Sequence, residues 1–383
     1  GIDAAIFMHP NTWKASGHID AFNDPLIDNK DSKKRYRADI LIEDHILKIE
    51  GKIEKEIKKA KKRFGEDFNE KIFRETNPNV LRRERDKSDI KIKMDKAFNS
   101  EDLSAIYDLI LELGIICPES GSKNWTSVRQ FNQMFQTDLG SVSGESTSIF
   151  LRPETAQGIF VNYLNVQKTG RKKIPFGIAQ IGKAFRNEII ARQFIFRMRE
   201  FEQMEMQFFI TPGTQQKWYE HWKETRMKWH KSLGIPEDYL RFHDHVKLAH
   251  YADAACDIEF KFPFGFKELE GIHSRTDFDL KQHEELSKKK IRYFDPEKNE
   301  SYIPYVVETS IGLDRMFLAL MSYSLKEEKL EDGTSRTILA LPFSLAPNKA
   351  AVLPLVKKDG LSEKAKEIFN DLKCICNCAY DEK

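Results

Sequence analysis

The sequence predicts an α+β fold in which helices pack on an antiparallel β-sheet. Two segments with period-two patterning, 178–188 and 201–210, indicate paired strands. Apolar residues recur every three or four positions over 46–64, which indicates an amphipathic helix. The sequence has no glycine-rich phosphate loop of the P-loop kind, so a parallel sheet of the dinucleotide-binding type is not expected.

The amino-terminal part of the sequence combines short strands with a basic helical segment. Residues 1–47 are predicted to form short strands and turns, including a strand at 39–42. The helix that follows has an apolar stripe formed by Ile49, Ile53, Ile57, Ala60 and Phe64. From Lys48 to Lys96, 17 Lys and Arg residues stand against 11 Asp and Glu residues, a formal charge of +6 in a chain that carries +2. We call residues 48–100, approximately, the basic insertion.

Helices and strands continue along the rest of the chain. The elements predicted between 101 and 323 are helices 101–113, 215–233 and 313–323, and strands 256–272 and 305–310. The last of these helices has its apolar stripe at Leu313, Met316, Phe317 and Leu320. Beyond Pro342, the start of a βαβ unit is predicted from strand 350–354, helix 363–372 and strand 374–379.

Composition limits the class of protein. With 383 residues, 40% of them hydrophobic, the chain is long enough for one large domain with appendages. No stretch approaches the roughly 18 apolar residues of a membrane span. The five cysteines do not form a disulfide framework, so we expect a reducing compartment and a cytoplasmic protein.

The two strands of the predicted hairpin have distinct faces. One face of the first strand consists of Ile178, Gln180, Gly182, Ala184, Arg186 and Glu188. The second strand presents a polar front with Phe201, Gln203, Glu205 and Gln207, and an apolar back with Met204, Met206, Phe208 and Ile210. This pattern predicts a half-buried strand whose polar front lines solvent or a cleft.

Sequence blocks around this hairpin resemble a known family. The segment from Phe185 to Glu188, followed by Arg197 and Phe201, resembles motif 2 of class II aminoacyl-tRNA synthetases. The amino-acid sequence of residues 199–205 resembles that of glycyl-tRNA synthetases. Further matching blocks are His9-Pro10, 16–18, Asp24-Pro25, 36–39, 151–158, 268–273 and 308–315. Because the blocks run in family order over nearly the whole chain, the resemblance implies a class II catalytic domain at 1–341, containing the basic insertion. It implies the beginning of a truncated α/β anticodon-binding domain at 342–383.

Arginines are the main candidates for ATP chemistry. The carboxylate of an amino acid must attack the α-phosphate of ATP, so the site needs fixed positive charge. A guanidinium fork matches phosphate and carboxylate oxygens, which makes Arg186 the first candidate. By the resemblance, Glu188 accepts from the adenine amino group, Phe201 stacks on adenine and Arg197 reaches the terminal phosphates. For an isolated Arg-x-Glu, the alternative is a salt bridge between Arg186 and Glu188.

A second arginine site resembles motif 3 of the family. Glu308 and Ser310 share a strand face, and Gly312 opens a helix with Arg315 in its first turn. Together with Arg186 and Arg197, Arg315 is expected to be catalytic. The full set of ATP-binding residues implied by the resemblance is Arg186, Asn187, Glu188, Phe196, Arg197, Met198, Arg199, Glu200, Phe201, Glu268, Leu269, Gly312, Leu313, Asp314 and Arg315.

Glutamates are the candidates for glycine binding. The resemblance places Glu154, Glu205 and Glu308 around the ammonium group. Clustered carboxylates repel each other unless a cation is bound, so they suit a cage for an ammonium group. The full implied set is Arg37, Glu154, Phe201, Glu202, Gln203, Met204, Glu205, Glu308, Thr309, Ser310, Ile311 and Gly312. For Arg37 the alternative is an ordinary ion pair with Asp39.

The metal expected from the resemblance is Mg²⁺ with ATP. Glu268 is its candidate protein ligand, because Mg²⁺ usually takes one or two carboxylates plus phosphate oxygens. No zinc is expected, since Cys374, Cys376 and Cys378 alternate along one predicted strand and are interpreted as buried small residues. Residues 28–34 also lack the cysteine pairs of some relatives.

The leading hypothesis is a glycine-tRNA ligase whose partners are glycine, ATP, tRNA(Gly) and, in the full-length protein, a second copy of the chain. The alternatives are a non-catalytic synthetase-like protein that binds nucleic acid or assists a polymerase, and a class II synthetase for serine or alanine. The basic insertion suits phosphate contacts to the tRNA acceptor stem. It equally suits a solvated helical face with surface pairs such as Glu54 and Lys58.

Overall fold

The computed structural model describes residues 1–65, 68–100, 102–140, 147–189, 191, 193–245, 248–249 and 251–382. These residues divide into two compact units. The helical unit comprises residues 7–153 and 185–199, and the sheet unit comprises 1–6, 154–184 and 200–383. No helix within the described residues is both long and apolar enough to cross a membrane.

The helical unit contains short strands and long helices. Its elements are β1 (Phe7–Met8), α1 (Pro10–Ala15), α2 (His18–Ala21), β2 (Asn23–Asp28), β3 (Arg35–Arg37), α3 (Ala38–Phe64), α4 (Glu70–Thr76), α5 (Pro78–Asn99), α6 (Leu103–Glu112), β4 (Arg129–Asn132), β5 (Gln136–Leu139) and β6 (Thr147–Leu151). The strands form two antiparallel sheets with the orders β3-β2-β4 and β1-β6-β5. Apolar residues of α3, α5 and α6 form the main core of this unit.

Helix α3 begins earlier than the sequence predicts. The predicted strand at 39–42 is wrong, because Ala38, Leu41 and Ile42 are buried and extend the apolar stripe of α3 toward its amino terminus. The Asp39 side chain accepts a hydrogen bond from the backbone N–H of Ile40 in the first turn. A segment of four residues fits both the strand period of two and the helix period of 3.6. The longer apolar stripe therefore determines that this segment is helical.

Ion pairs cross between the helices of the basic insertion. Arg74 on α4 contacts Glu54 of α3, Glu70 of its own helix and Glu84 of α5. Lys87 contacts Glu50 and Glu84. Part of the positive charge therefore connects α3, α4 and α5. In contrast, lysines and Arg63 on the outer face of α3 are exposed, and a role for them in binding RNA stays a prediction.

The sheet unit contains a six-stranded sheet covered by helices. Its elements are α7 (Ala156–Thr169), β7 (Phe176–Phe185), β8 (Glu200–Ile210), α8 (Gln215–Ser232), β9 (Leu240–Asp244), β10 (Ala254–Phe262), β11 (Gly265–Thr276), α9 (Phe278–Ser287), β12 (Tyr293–Asp295), β13 (Glu300–Tyr302), β14 (Tyr305–Gly312), α10 (Leu313–Ser324), β15 (Leu325–Lys329), β16 (Ser335–Leu339), β17 (Ala350–Val352), α11 (Leu361–Leu372) and β18 (Cys378–Tyr380). The strand order is β7-β8-β14-β11-β10-β9, and the pairs from β8 to β9 are antiparallel. The α+β fold class is confirmed.

Both faces of strand β8 are covered, and the polar face is the more deeply buried. Gln203, Glu205 and Gln207 are buried, whereas on the apolar back Met204, Met206 and Phe208 are half-buried and Ile210 is buried. On that back, the Phe208 ring lies 4.9 and 5.2 Å from the rings of Trp218 and Trp222 on α8. Strand β7 ends at Phe185, so the predicted continuation of its face through Arg186 and Glu188 is wrong.

The carboxy-terminal elements confirm the predicted βαβ unit and correct two details. Strands β17 and β18 pair in parallel around α11. Cys374 and Cys376 lie in a turn before β18 and Cys374 is exposed, so the predicted buried cysteine strand is wrong. In α10, Phe317 is 56% exposed while Met316 and Ala319 are buried, so the apolar stripe excludes Phe317.

Candidate active site

A pair of buried carboxylates occupies the centre of the sheet unit. Glu205 on β8 and Glu308 on β14 are 2% and 4% exposed. Gln207 is paired in register with Glu308. Its Nε2 atom donates to Glu205 Oε1 at 2.9 Å and to Glu308 Oε2 at 2.6 Å. One amide therefore connects the two acids across neighbouring strands.

Arg275 and His273 favour the ionised form of Glu308. Arg275 Nη1 donates to Glu308 Oε2 at 2.8 Å, and His273 Nδ1 lies 2.8 Å from Glu308 Oε1. Burial by itself would raise the pKa of Glu308, but the charge of Arg275 and the hydrogen bond from His273 lower it below its usual value. Arg275 also forms a bidentate pair with Asp279, at 2.8 and 3.0 Å.

Glu205 has a different electrostatic environment. Its hydrogen-bond donors are uncharged, namely the Gln207 amide and the Thr155 hydroxyl, which lies 2.5 Å from Oε2. Burial and the charges of Glu308 and Glu154 raise the pKa of Glu205 well above its usual value. This environment therefore favours a proton on Glu205, which a cationic ligand could replace.

The start of α7 supplies further groups to this pocket. Gln157 Nε2 donates to Glu154 Oε1 at 3.2 Å and to Asp279 Oδ1 at 2.9 Å. His283 Nε2 lies 2.8 Å from Gln157 Oε1, which fixes the orientation of the amide. Glu154, Glu205 and Glu308, predicted to share a glycine site, thus belong to one hydrogen-bonded region of the sheet unit.

Gln203 and Ser310 complete the polar face. Gln203 Nε2 donates to Ser310 Oγ at 2.7 Å, and Gln203 Oε1 accepts from the backbone N–H of Thr155 at 3.2 Å. Met204 and Ile311 are paired in register on the two strands, as are Glu205 and Ser310. Because side chains alternate between faces, Met204 belongs to the opposite face from Gln203 and Glu205.

Arg315 lies beside Glu268 at the amino terminus of α10. Its Nη1 atom is 3.3 Å from Glu268 Oε2 and 3.2 Å from the backbone oxygen of Glu268. The helix begins after Gly312, and the neighbouring Asp314 accepts a hydrogen bond from the Glu202 N–H at 2.8 Å. Leu269 is buried. The motif 3 residues and Glu268 are therefore close together, as the resemblance implies.

The ATP candidates from Arg186 to Arg199 lie in the helical unit, whereas Glu200 and Phe201 lie on β8 of the sheet unit. The Arg186 N–H donates to the Arg199 backbone oxygen at 2.9 Å, and Arg186 Nε donates to the Pro153 oxygen at 3.1 Å. The Asn187 N–H donates to the Gln133 oxygen. Arg199 Nε donates to the Glu188 oxygen at 2.7 Å. These bonds order the segment around motif 2, in which Phe196 is buried and Phe194–Phe196 forms one helical turn.

Glu188 contacts two arginines beside a cavity of about 220 Å³ in the helical unit. Arg197 Nη1 lies 3.3 Å from both carboxylate oxygens of Glu188, and Arg37 Nη1 lies 3.9 Å from Glu188 Oε2. Arg37 also pairs with Asp24 at 2.7 Å and with Asp39 at 2.6 Å. Arg37, predicted to bind glycine, thus lies with the ATP candidates Glu188 and Arg197.

Comparisons with known proteins identify the family. Residues 24–133 match the family model for glycyl-tRNA synthetase insertion domain 1. Residues 135–324 match that for the class II tRNA synthetase core domain (G, H, P, S and T). The glycine-tRNA ligase of Chlorobaculum tepidum is 50% identical over all of this chain and 75% of its own length. The chain belongs to the glycine-tRNA ligase family. The family enzymes of Macrococcus caseolyticus and Geobacillus thermodenitrificans are 48% and 47% identical over the whole chain, and it covers 74% and 73% of them.

Several residues that contact Glu154, Glu205 or Glu308, directly or through one another, were not predicted as site residues. They are Thr155, Gln157, Gln207, His273, Arg275, Asp279 and His283. Gln207 could have been predicted from the sequence, because it lies two positions after Glu205 and therefore on the same face of the strand. The period-two spacing of His273 and Arg275 was also visible, but their pairing with Glu308 depends on the β11–β14 register.

Proposed function

We propose that this member of the glycine-tRNA ligase family activates glycine with ATP, forming glycyl-adenylate and pyrophosphate. It then transfers the glycyl group to the 3′ end of tRNA(Gly). The supporting observation is the buried pair Glu205 and Glu308, in which one acid is ionised by Arg275 and the other favours a proton. A bound ammonium group replaces that proton and restores the charge balance.

The chemistry of glycine explains why the pocket uses charges and hydrogen bonds. Glycine offers only an ammonium group, a carboxylate and no side chain, so its charged ends must provide the affinity. A single methylene in a pocket is worth about 1–3 kcal/mol, so alanine must be rejected sterically. The Gln203 side chain, which accepts from the Thr155 backbone N–H and donates to the Ser310 hydroxyl, supports such a rigid wall.

The arginines supply the positive charge for adenylate formation. A carboxylate oxygen of glycine attacks the α-phosphorus of ATP, the bond to the bridging oxygen breaks and pyrophosphate leaves. No covalent bond to the protein is needed, so positioning and electrostatic stabilisation carry the reaction. We assign the phosphate contacts to Arg186, Arg197 and Arg315, whose guanidinium forks suit phosphate oxygens.

Magnesium with ATP suits the carboxylate of Glu268. This side chain is exposed to solvent over half its surface and lies beside Arg315, so a carboxylate oxygen is accessible next to a phosphate-binding guanidinium. Glu268 would hold the Mg²⁺ ion, which would neutralise part of the phosphate charge. Arg315 would then balance the charge that remains.

The further proposals concern the partners and the cell compartment. We assign the exposed basic face of α3 to the phosphates of the tRNA acceptor stem, because phosphate contacts need charge more than exact geometry. The full-length protein is proposed to be a homodimer in the cytoplasm. The chain retains the arginines and glutamates that chemistry requires, and no comparison supports the non-catalytic alternative.

Exchange of labelled pyrophosphate into ATP tests this function. The protein is incubated with ATP, magnesium and one amino acid at a time. Glycine is expected to drive exchange, while alanine and serine give only the rate seen without amino acid. Exchange with serine or alanine at the rate of glycine would contradict the assignment, and so would exchange that no amino acid stimulates.

A further inference from the structure

Two histidines and an aspartate converge on the sheet unit. Asp257 lies on β10, His273 on β11, and His245 directly after β9. One ligand atom of each lies within 4.8 Å of the others. His245 Nε2 and Asp257 Oδ2 are 2.9 Å apart. Imidazole nitrogens and a carboxylate oxygen thus face a common space.

Gly271 keeps this space open. It is paired in register with Asp257. A Cβ atom at Gly271 would lie 2.8 Å from His273 Cε1, 3.4 Å from His273 Nε2 and 3.7 Å from Asp257 Oδ1. The imidazole of His273 and the carboxylate of Asp257 therefore approach the same α-carbon, and any larger residue would displace the imidazole. The cluster has room only because this residue has no side chain.

The ring of His273 is oriented by an outer carboxylate. Its Nδ1 atom lies 2.8 Å from Glu308 Oε1, which leaves Nε2 toward the space over Gly271. Metal-binding histidines commonly use one ring nitrogen for the metal and donate the other N–H to a carboxylate. The arrangement of Glu308 and His273 has this form.

The partly buried carboxylate of Asp257 also suits a cation site. Its side chain is 15% exposed, and burying a carboxylate is unfavourable unless the charge is paired. A cation held by Asp257 and the two imidazoles would provide that pairing.

We propose that His245, Asp257 and His273 bind one divalent transition-metal ion, with zinc preferred. Two imidazole nitrogens and one carboxylate oxygen suit zinc and leave a position for water or another oxygen. Zinc bonds of about 2.0–2.2 Å place tetrahedral ligands about 3.3 Å apart, so small side-chain rotations close the cluster. The cysteine positions that argue against zinc do not bear on this cluster, whose ligands are two histidines and an aspartate. The site adjoins the proposed glycine pocket through the contact between His273 and Glu308, but zinc affinity is measured without substrates, so the two proposals are tested separately.

Metal titration of the full chain without a histidine tag tests the site. After treatment with a chelator, zinc is titrated in competition with a chromophoric chelator. The protein is expected to bind one ion per chain, and His245→Ala or Asp257→Asn to weaken binding at least about tenfold. Gly271→Ala is expected to weaken binding without removing a ligand, since its Cβ would displace the His273 ring.

His243→Ala is the matched control. The His243 ring centroid lies 6.3 Å from that of His245, but its Nδ1 pairs with Glu259, outside the cluster. This variant is expected to keep full affinity. Failure of the unaltered protein to bind zinc would overturn the site, as would unchanged affinity in both ligand variants or an equal loss in His243→Ala. If the ligand variants do not fold, cupric ion bound to the unaltered protein is examined by electron paramagnetic resonance. Imidazole nitrogen coupling supports the site, and its absence overturns it.

Discussion

The carboxylates of Glu205 and Glu308 accept hydrogen bonds from one shared amide nitrogen, yet their electrostatic environments are opposite. Arg275 and His273 favour the charged form of Glu308, whereas burial and its acidic neighbours favour the protonated form of Glu205. The pair therefore suits a cationic ligand, but in the absence of a cation the buried carboxyl group of Glu205 reduces the stability of the fold. This difference leads to testable consequences for stability and activity.

Glu205→Gln is expected to stabilise the empty protein at neutral pH. Folding raises the pKa of Glu205, so ionisation of this carboxyl group lowers the free energy of unfolding. This loss of stability is absent below the unfolded pKa and fully present above the folded pKa. Each unit of the shift corresponds to about 1.4 kcal/mol. Glutamine keeps an acceptor for Gln207 and presents an amide to Thr155.

Urea unfolding at several pH values measures this effect. The stability advantage of Glu205→Gln over the unaltered protein should shrink as the pH falls toward the unfolded pKa. Glu300→Gln, at an exposed strand position, is the control and should change little. A Glu205→Gln protein less stable than the unaltered one at neutral pH would refute the raised pKa.

Arg275→Met is expected to destabilise the sheet unit strongly. The substitution leaves the buried acids Glu308 and Asp279 without their guanidinium partner. Breaking a buried ion pair by removing one member costs about 3–5 kcal/mol. Chemical denaturation measures the change in the free energy of unfolding.

The exposed pair of Arg292 and Glu284 supplies the comparison. Arg292→Met should cost no more than about 1 kcal/mol, because exposed pairs contribute little. Equal losses in the two arginine variants would show that the buried charge of Arg275 contributes no more to stability than the exposed charge of Arg292.

Arg315→Ala is expected to slow glycine activation by about 10²–10³-fold, the usual loss for one fixed donor at a developing charge. The assay is pyrophosphate exchange at varied ATP concentration. Glu268→Gln should mainly shift the magnesium dependence of the reaction. If Arg315→Ala leaves both the exchange rate and the ATP dependence unchanged, the assignment of Arg315 to phosphate binding is wrong.

Replacing Lys55, Lys58 and Lys62 together by Gln is expected to raise KM for tRNA and leave glycine-dependent exchange unchanged. These lysines are exposed on α3 at helical spacing. Each lost phosphate contact should lower the slope of log affinity against log salt by about 1. Lys288, Lys289 and Lys290, exposed in the sheet unit, provide a control triple replacement with the same charge change. An equal KM increase in the control would refute a specific role for α3.

The sequence was informative where a pattern is local and less so where distant strands meet. The strand phase of Gln203, Glu205 and Gln207 was predicted correctly, and so was the helix after Gly312. The burial of that polar face was not, because it depends on what covers the sheet. Likewise, Gln207 and Glu308 are 101 positions apart, and only their register makes them partners.

The errors have similar causes. Four apolar and polar residues at 39–42 fit a strand or a helix equally well, and packing selected the helix. Phe317 fits the stripe of α10 by spacing, yet it is exposed, whereas Met316 and Ala319 are the buried residues of this helix. Local composition does not determine which of several apolar residues meets a neighbour.

The most direct test of the account is glycine binding by calorimetry in two buffers of different ionisation enthalpy. If the glycine ammonium replaces a proton on Glu205, the unaltered protein should release protons when glycine binds, at pH values near the raised pKa. Glu205→Gln should release none and should lose glycine-dependent pyrophosphate exchange. Glycine binding without proton release, or a Glu205→Gln protein that activates glycine at the normal rate, would contradict the account.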